Sequence, residues 1–269
     1  MSAAEAHDTR ALESLLAFWR EAGVDACYED EPVDRTWRPA PPPRPAAITA
    51  EPRPSGVPVG TDISTAVVEA CALAAAAGDL AALEAAIAAF DGCPLKSQGA
   101  KRAVFSRGSP DAPVVIIGEG PGADEDAQGA PFVGRAGKLL DRMLEAAGLQ
   151  DRVFITNTVF WRPPGNRTPT PAEQAVCAPF VEQALKLIRP KLLLLVGGAS
   201  AKSMLKKDEG ILSLRGRWFE WRSQDETLEL PALPTLHPAF LLRQPAAKKR
   251  AWADLLTLTE RLDRPDRPA

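Results

Sequence analysis

The chain has 269 residues, 45% hydrophobic and 25% charged, enough for one sizeable α/β domain with a real core plus an appendage. Its 32 Lys and Arg against 35 Asp and Glu leave a formal charge of −3, so any contact with a polyanion has to come from a local basic patch. No apolar stretch reaches the roughly 18 to 20 residues of a membrane span, and MSAAEAHDTR lacks the basic and apolar regions of a signal peptide; a cytoplasmic protein without a membrane partner is expected.

Residues 9–22 have the pattern of a short amphipathic helix (Leu12, Leu15, Leu16, Trp19) closed by Gly23. The proline-dense stretch from Pro32 to Pro58 reads as an extended linker. This divides the chain into a helical segment 1–31, a linker 32–59 and a domain 60–269. An alanine-rich segment follows as two helices, 64–77 and 80–90, with Gly78 as stop and Asp79 as N-cap.

Beyond it strand and helix alternate, which predicts a three-layer α/β/α sandwich around a mainly parallel sheet of about four strands. The strands are 114–117, 153–156, 192–196 and 233–236, with a hairpin formed by 218–221 and 227–230. Helices are expected over 136–147, from the capping box Thr170-Pro171-Ala172-Glu173 to about 188, and over 245–262, the last turning Trp252, Leu255, Leu256 and Thr259 inward. The cysteines Cys27, Cys71, Cys93 and Cys177 fit no zinc pattern and no disulfide framework for a reducing compartment.

The run GEGPGADEDAQGAPFVGR, residues 118–135, reads as a glycine-rich loop at the end of a buried strand, where phosphate-binding proteins place backbone donors and a Lys. Here it carries Glu119, Asp124, Glu125 and Asp126. No G-K-[ST] follows. Pro121 interrupts the donor array, and Lys138 stands near where a dinucleotide site wants a ribose-binding acid, so a nicotinamide-type site is disfavoured. Ligands of open α/β sheets bind at the carboxyl ends of the strands, where Glu119, Asn157, Gly197 and His237 all fall. On the residues alone Phe132 reads equally well as a core aromatic, Asp124 and Glu125 as solvated charges, and Lys248, Lys249 and Arg250 as a solvated helix face.

Four motifs in order, GEGPGADEDAQGAPFVGRAGKLLDRMLEAAG, ITNTVFWRPPGNRTPTPAE, RGRWFEW and LHPAFLLR, closely resemble the family-four uracil-DNA glycosylases over about residues 93–265. The resemblance implies a monofunctional enzyme of base-excision repair that flips uracil out of single- or double-stranded DNA and releases it by hydrolysis. It implies Glu119 and His237 as catalytic residues, with Gly118, Gly120, Glu125, Phe132 and Asn157 around the base. Phe132 would stack on uracil, Asn157 read O4 and N3, His237 donate to O2, and Glu125 crowd C5 against thymine. In DNA binding it implies Arg162 and Arg167, an apolar wedge Phe240-Leu241-Leu242 with Arg243, and Lys248 and Lys249. A monomer associated with the nucleoid is expected. A catalytically weak DNA-binding relative is the alternative.

Family-four enzymes usually hold a [4Fe–4S] cluster on four cysteines. At the matching positions this sequence has Phe90, Cys93, Trp161 and Cys177, so no cluster and no other cofactor or metal is expected. The loop 162–170 would then be held by proline stiffness and packing alone. No histidine-bearing basic insertion follows the Asn motif, which favours simple hydrolysis over a covalent DNA adduct.

Overall fold

The computed structural model describes residues 63–264. The expected N-terminal helix, the proline linker, His7 and Cys27 lie outside them. In chain order the elements are α1 (Ile63–Ala76), α2 (Leu80–Ala89), α3 (Pro94–Ser97), β1 (Arg107–Gly108), β2 (Val114–Gly118), α4 (Ala123–Gln128), α5 (Arg135–Ala146) and β3 (Val153–Asn157). There follow α6 (Pro171–Ile188), β4 (Leu192–Val196), α7 (Gly198–Leu205), α8 (Ile211–Leu214), β5 (Phe219–Arg222), β6 (Glu229–Thr235), α9 (Pro238–Arg243) and α10 (Lys248–Asp263).

The unbroken apolar runs VVII and LLLLV become β2 and β4, strands buried on both faces as parallel strands covered by helices must be. Alternate residues serve opposite layers. Val115, Ile117, Leu193 and Leu195 join Ala66, Leu83, Ile87 and Phe180 of α1, α2 and α6 on one side. Val114, Ile116, Leu192 and Leu194 join Leu140, Leu144, Leu255 and Leu258 of α5 and α10 on the other. Helix starts follow their caps: Asp79 accepts the Ala82 N–H at 2.7 Å, and Thr170 and Glu173 form the reciprocal capping box of α6.

The sheet has six strands in the order β1-β3-β2-β4-β6-β5. Strands β3, β2, β4 and β6 run parallel, and β1 and β5 are antiparallel edges. The expected count of about four therefore describes the parallel centre and omits the edges. Segments 227–230 and 233–236, read as a hairpin arm and a separate strand, are one strand, β6. Pro231 and Pro234 each remove one ladder donor, and the remaining register with β4 and β5 carries the pairing. Part of the presumed loop 118–135 is the short helix α4.

The last helix is rotated from its expected face. Ala251, Leu255, Leu258 and Leu262 are its buried stripe, and a 3₁₀ turn at Pro245–Ala247 precedes it. Trp252 and Leu256 are 37% and 48% exposed. A second correction concerns the apolar wedge. Leu241 is fully buried with Leu236 and Ala251 beneath α9, whereas Leu242 is exposed. Leu241→Ala should accordingly destabilise the fold by about 2–5 kcal/mol through cavity formation. Leu242→Ala should stay within about 0.5 kcal/mol of the parent in the same denaturant titration. Equal small effects of the two would place Leu241 at the surface.

Candidate active site

The four parallel strands bring their carboxyl ends to one edge, and a cleft of about 630 Å³ opens there. Strand β2 ends at Gly118, in register with Asn157 at the end of β3. Glu119, half-buried, follows directly and lines the cleft, its carbonyl accepting the Thr158 hydroxyl at 2.6 Å. Asn157 is almost fully buried and lines the same cleft. Strand β6 delivers His237 as the N-cap of α9.

Phe132 forms one wall and is held unusually. It is a non-glycine residue at φ 55, in the left-handed region, and its ring is buried. The ring stacks against His237 with centroids 5.6 Å apart and planes 29° from parallel. A side chain at Gly118 would come within 2.6 Å of this ring, so the aromatic lies directly on bare backbone.

Glu125 lines the cleft from the first turn of α4, but it is not a solvated charge. Its Oε2 accepts the Gly122 N–H at 3.1 Å, and its Oε1 accepts the N–H groups of Val133 and Gly134 at 3.1 and 3.0 Å. The carboxylate thus ties the loop after β2 to the segment carrying Phe132.

The opposite wall is the loop between β3 and α6, through Pro163, Asn166, Arg167, Thr168 and Pro169. Contrary to expectation, proline stiffness and packing are not its sole restraints. Arg167 makes a bidentate pair with the nearly buried Glu173 at 2.6 and 2.9 Å, and Arg162 donates to Asn166 at 2.6 Å. The Arg167 guanidinium holds the Glu173 carboxyl below its ordinary pKa. Arg167, expected to be a phosphate ligand, lines the cleft and also clamps this loop through Glu173. Gly120, Phe240 and Arg243 also line the cleft. Leu242, Lys248 and Lys249 lie outside it and are exposed. Sequence reading missed Arg135, Asn166 and Thr168 in the lining, since no spacing rule assigns loop residues to a wall.

The ionisation of His237 follows from its surroundings. Burial, assisted by nearby Arg243 and opposed by Glu125, pushes its pKa from 6.5 down to about 4. The ring is therefore neutral at pH 7. Its Nδ1 accepts the Ala239 N–H at 3.1 Å, which leaves the proton on Nε2 as the ring's donor. In the unfolded chain the imidazole takes up its proton near 6.5, and in the folded chain only near 4. Between these values the unfolded state binds more protons, so the stability tied to this residue is complete above about pH 6.5 and is lost as pH falls toward 4. Nitrogen NMR should find an Nε2–H tautomer titrating near pH 4, and His237→Gln should flatten this part of the acid limb. A ring titrating near 6.5 would contradict the burial argument.

Known proteins resemble this chain in sequence. The family described as the uracil DNA glycosylase superfamily matches residues 105–256. The type-4 uracil-DNA glycosylase of Thermotoga maritima is 39% identical over 153 residues, covering 56% of this chain and 77% of that protein. The type-4 enzyme of Pyrobaculum aerophilum is 38% identical over 182 residues, covering 66% and 91%. That of Sulfurisphaera tokodaii is 38% identical over 164 residues, covering 59% and 74%. With more than half of the chain matched, and the matched part carrying both the sheet and every wall of the cleft, the chain belongs to the uracil-DNA glycosylase superfamily.

Proposed function

We propose that the chain is a monofunctional uracil-DNA glycosylase, a hydrolase of the N-glycosidic bond acting as a monomer on uracil in DNA. The observation that carries this reading is the convergence of Glu119, Phe132, Asn157 and a neutral His237 on one cleft, in a chain similar to type-4 uracil-DNA glycosylases. A flipped base enters with its ring on Phe132. The Asn157 amide meets O4 with its N–H₂ and N3–H with its carbonyl, a pairing that cytosine reverses. Glu125, fixed by three backbone donors, cannot move aside for a methyl group at C5.

In the bond-breaking step the electron pair of the C1′–N1 bond departs with uracil, leaving positive charge on the sugar. The Nε2–H of His237 stabilises the negative charge that grows on O2, which a neutral donor does without first losing a proton. Glu119 stabilises the sugar cation and orients water toward C1′. As the water oxygen bonds to C1′, its proton passes to Glu119 and then to solvent, while the released uracil anion takes up a proton from solvent, leaving free uracil and an abasic site. Arg243, Lys248 and Lys249 supply positive charge beside the cleft for the phosphates. Because unstacking costs least in mismatches and single strands, U:G and single-stranded uracil are the favoured substrates.

The reading includes no iron–sulfur cluster. Of the four residues at cluster positions, Phe90 and Trp161 have no atom that ligates iron. Their rings lie 6.4 Å apart, and Phe90 packs edge-on to Phe180 at 5.3 Å. Cys93 and Cys177 face each other inside this shell at 4.0 Å, and burial pushes the Cys177 thiol well up. No group of three or more His, Cys, Asp or Glu suited to a metal occurs among the described residues.

The test is excision, without added metal, from oligonucleotides carrying U:G, U:A, single-stranded U or T:G. Uracil strands should yield abasic product and T:G none, while Glu119→Ala, Asn157→Ala and His237→Ala should each lower the rate by about 100-fold or more. Failure of folded protein to cleave strands that it binds would identify a DNA-binding relative without activity. Anaerobically purified protein should be colourless, and about four irons per chain would refute the cluster-free reading.

A further inference from the structure

The edge strand β1 contributes one residue that reaches the cleft only through another. Arg107 donates from Nε to the Pro131 carbonyl at 2.7 Å, and from Nη2 to the Phe132 carbonyl at 3.2 Å and to Asp141 of α5 at 2.6 Å. Its side chain is partly buried and does not line the cleft. The carbonyl it holds belongs to the left-handed residue whose ring forms the cleft wall.

Left-handed backbone is disfavoured for a bulky residue and persists only where its surroundings fix it. Three contacts do so here. Arg107 holds the carbonyls of residues 131 and 132. Glu125 holds the N–H groups of residues 133 and 134. Gly137 leaves room for the Phe132 carbonyl, which any side chain at 137 would strike. Of the three, the Arg107 fork is the restraint that comes from a different strand, and Asp141 orients it.

We propose that Arg107 is a positioning residue for base capture, holding the peptide in the left-handed turn that sets the Phe132 ring in place for the base. The inference rests on Phe132 being the surface on which uracil stacks. Arginine is needed rather than lysine, because two carbonyls and a carboxylate have to be met by one planar group.

The experiment compares wild type, Arg107→Gln, Phe132→Ala and the double variant, measuring melting temperature, uracil release from a U:G oligonucleotide, and inhibition by free uracil. Arg107→Gln should weaken inhibition by free uracil and lower kcat/KM, each by about tenfold, while in the Phe132→Ala background it should add less than about twofold. Asp141→Asn, which leaves both carbonyl bonds in place, should cost less than about threefold, and Arg107→Lys should recover only part of the loss. If Arg107→Gln does not fold, Arg107→Lys in the same cycle takes its place. Full additivity of the two substitutions, or unchanged inhibition by uracil, overturns the positioning role. A wild type that releases no uracil overturns the glycosylase reading itself, an outcome separate from either.

Discussion

No side chain can occupy position 118 in this fold, and the site is arranged around that restriction. Gly118 ends β2 opposite Asn157, and the Phe132 ring lies where its Cβ would be, with the Asn157 side-chain oxygen beside it. A strand end stripped to backbone thereby lets an aromatic face and an amide come together at one point. Phe132 reaches this point from a strained backbone. It does so through a left-handed residue that Arg107, Glu125 and Gly137 hold from three directions. The acids of the glycine-rich segment thus divide their labour: Glu119 faces the cleft, Glu125 is structural as well as lining, and Asp126 accepts the Lys101 N–H.

This arrangement explains why a loop in a phosphate-binding position is acidic. Phosphate loops offer N–H donors and a cation to a dianion. Here several of the loop's N–H groups are spent on Glu125, and the cleft presents a carboxylate, an amide and an uncharged imidazole. Such a set suits a neutral heterocycle that leaves as an anion from a sugar that becomes a cation. Burial of His237 matters because a charged imidazole next to Arg243 would be disfavoured twice, by desolvation and by repulsion.

Much of this was legible in the sequence because it depends on short-range patterns. The parallel strands are continuous apolar runs, and Glu119, Asn157 and His237 stand directly after them, so the rule for strand ends located the cleft. Edge strand β1 was invisible because two residues, one of them glycine, have no periodicity. Pro231 and Pro234 disguised β6 as two segments, since proline argues against an inner strand. Along α10 two neighbouring stripes are both apolar, one with Trp252 and Leu256, the other with Leu255, Leu258 and Leu262, and only the docking of the helix decides which is buried. Side-chain duties set by distant partners were also out of reach. Arg107 and Asp141 are 34 positions apart, and no spacing rule marks Arg167 as the mate of Glu173. Leu241 and Leu242 are adjacent and chemically equal, and only the direction of α9 buries one and exposes the other.

If the cleft between Phe132 and the ends of β2, β3 and β6 is built for uracil, the free base should occupy it in one orientation. A crystal structure of the chain with free uracil tests this most directly. The ring should lie parallel to Phe132, with O2 within about 3 Å of His237 Nε2 and O4 and N3 within about 3 Å of the Asn157 amide. Uracil bound elsewhere, or bound here with its O4 edge toward His237, would contradict this reading.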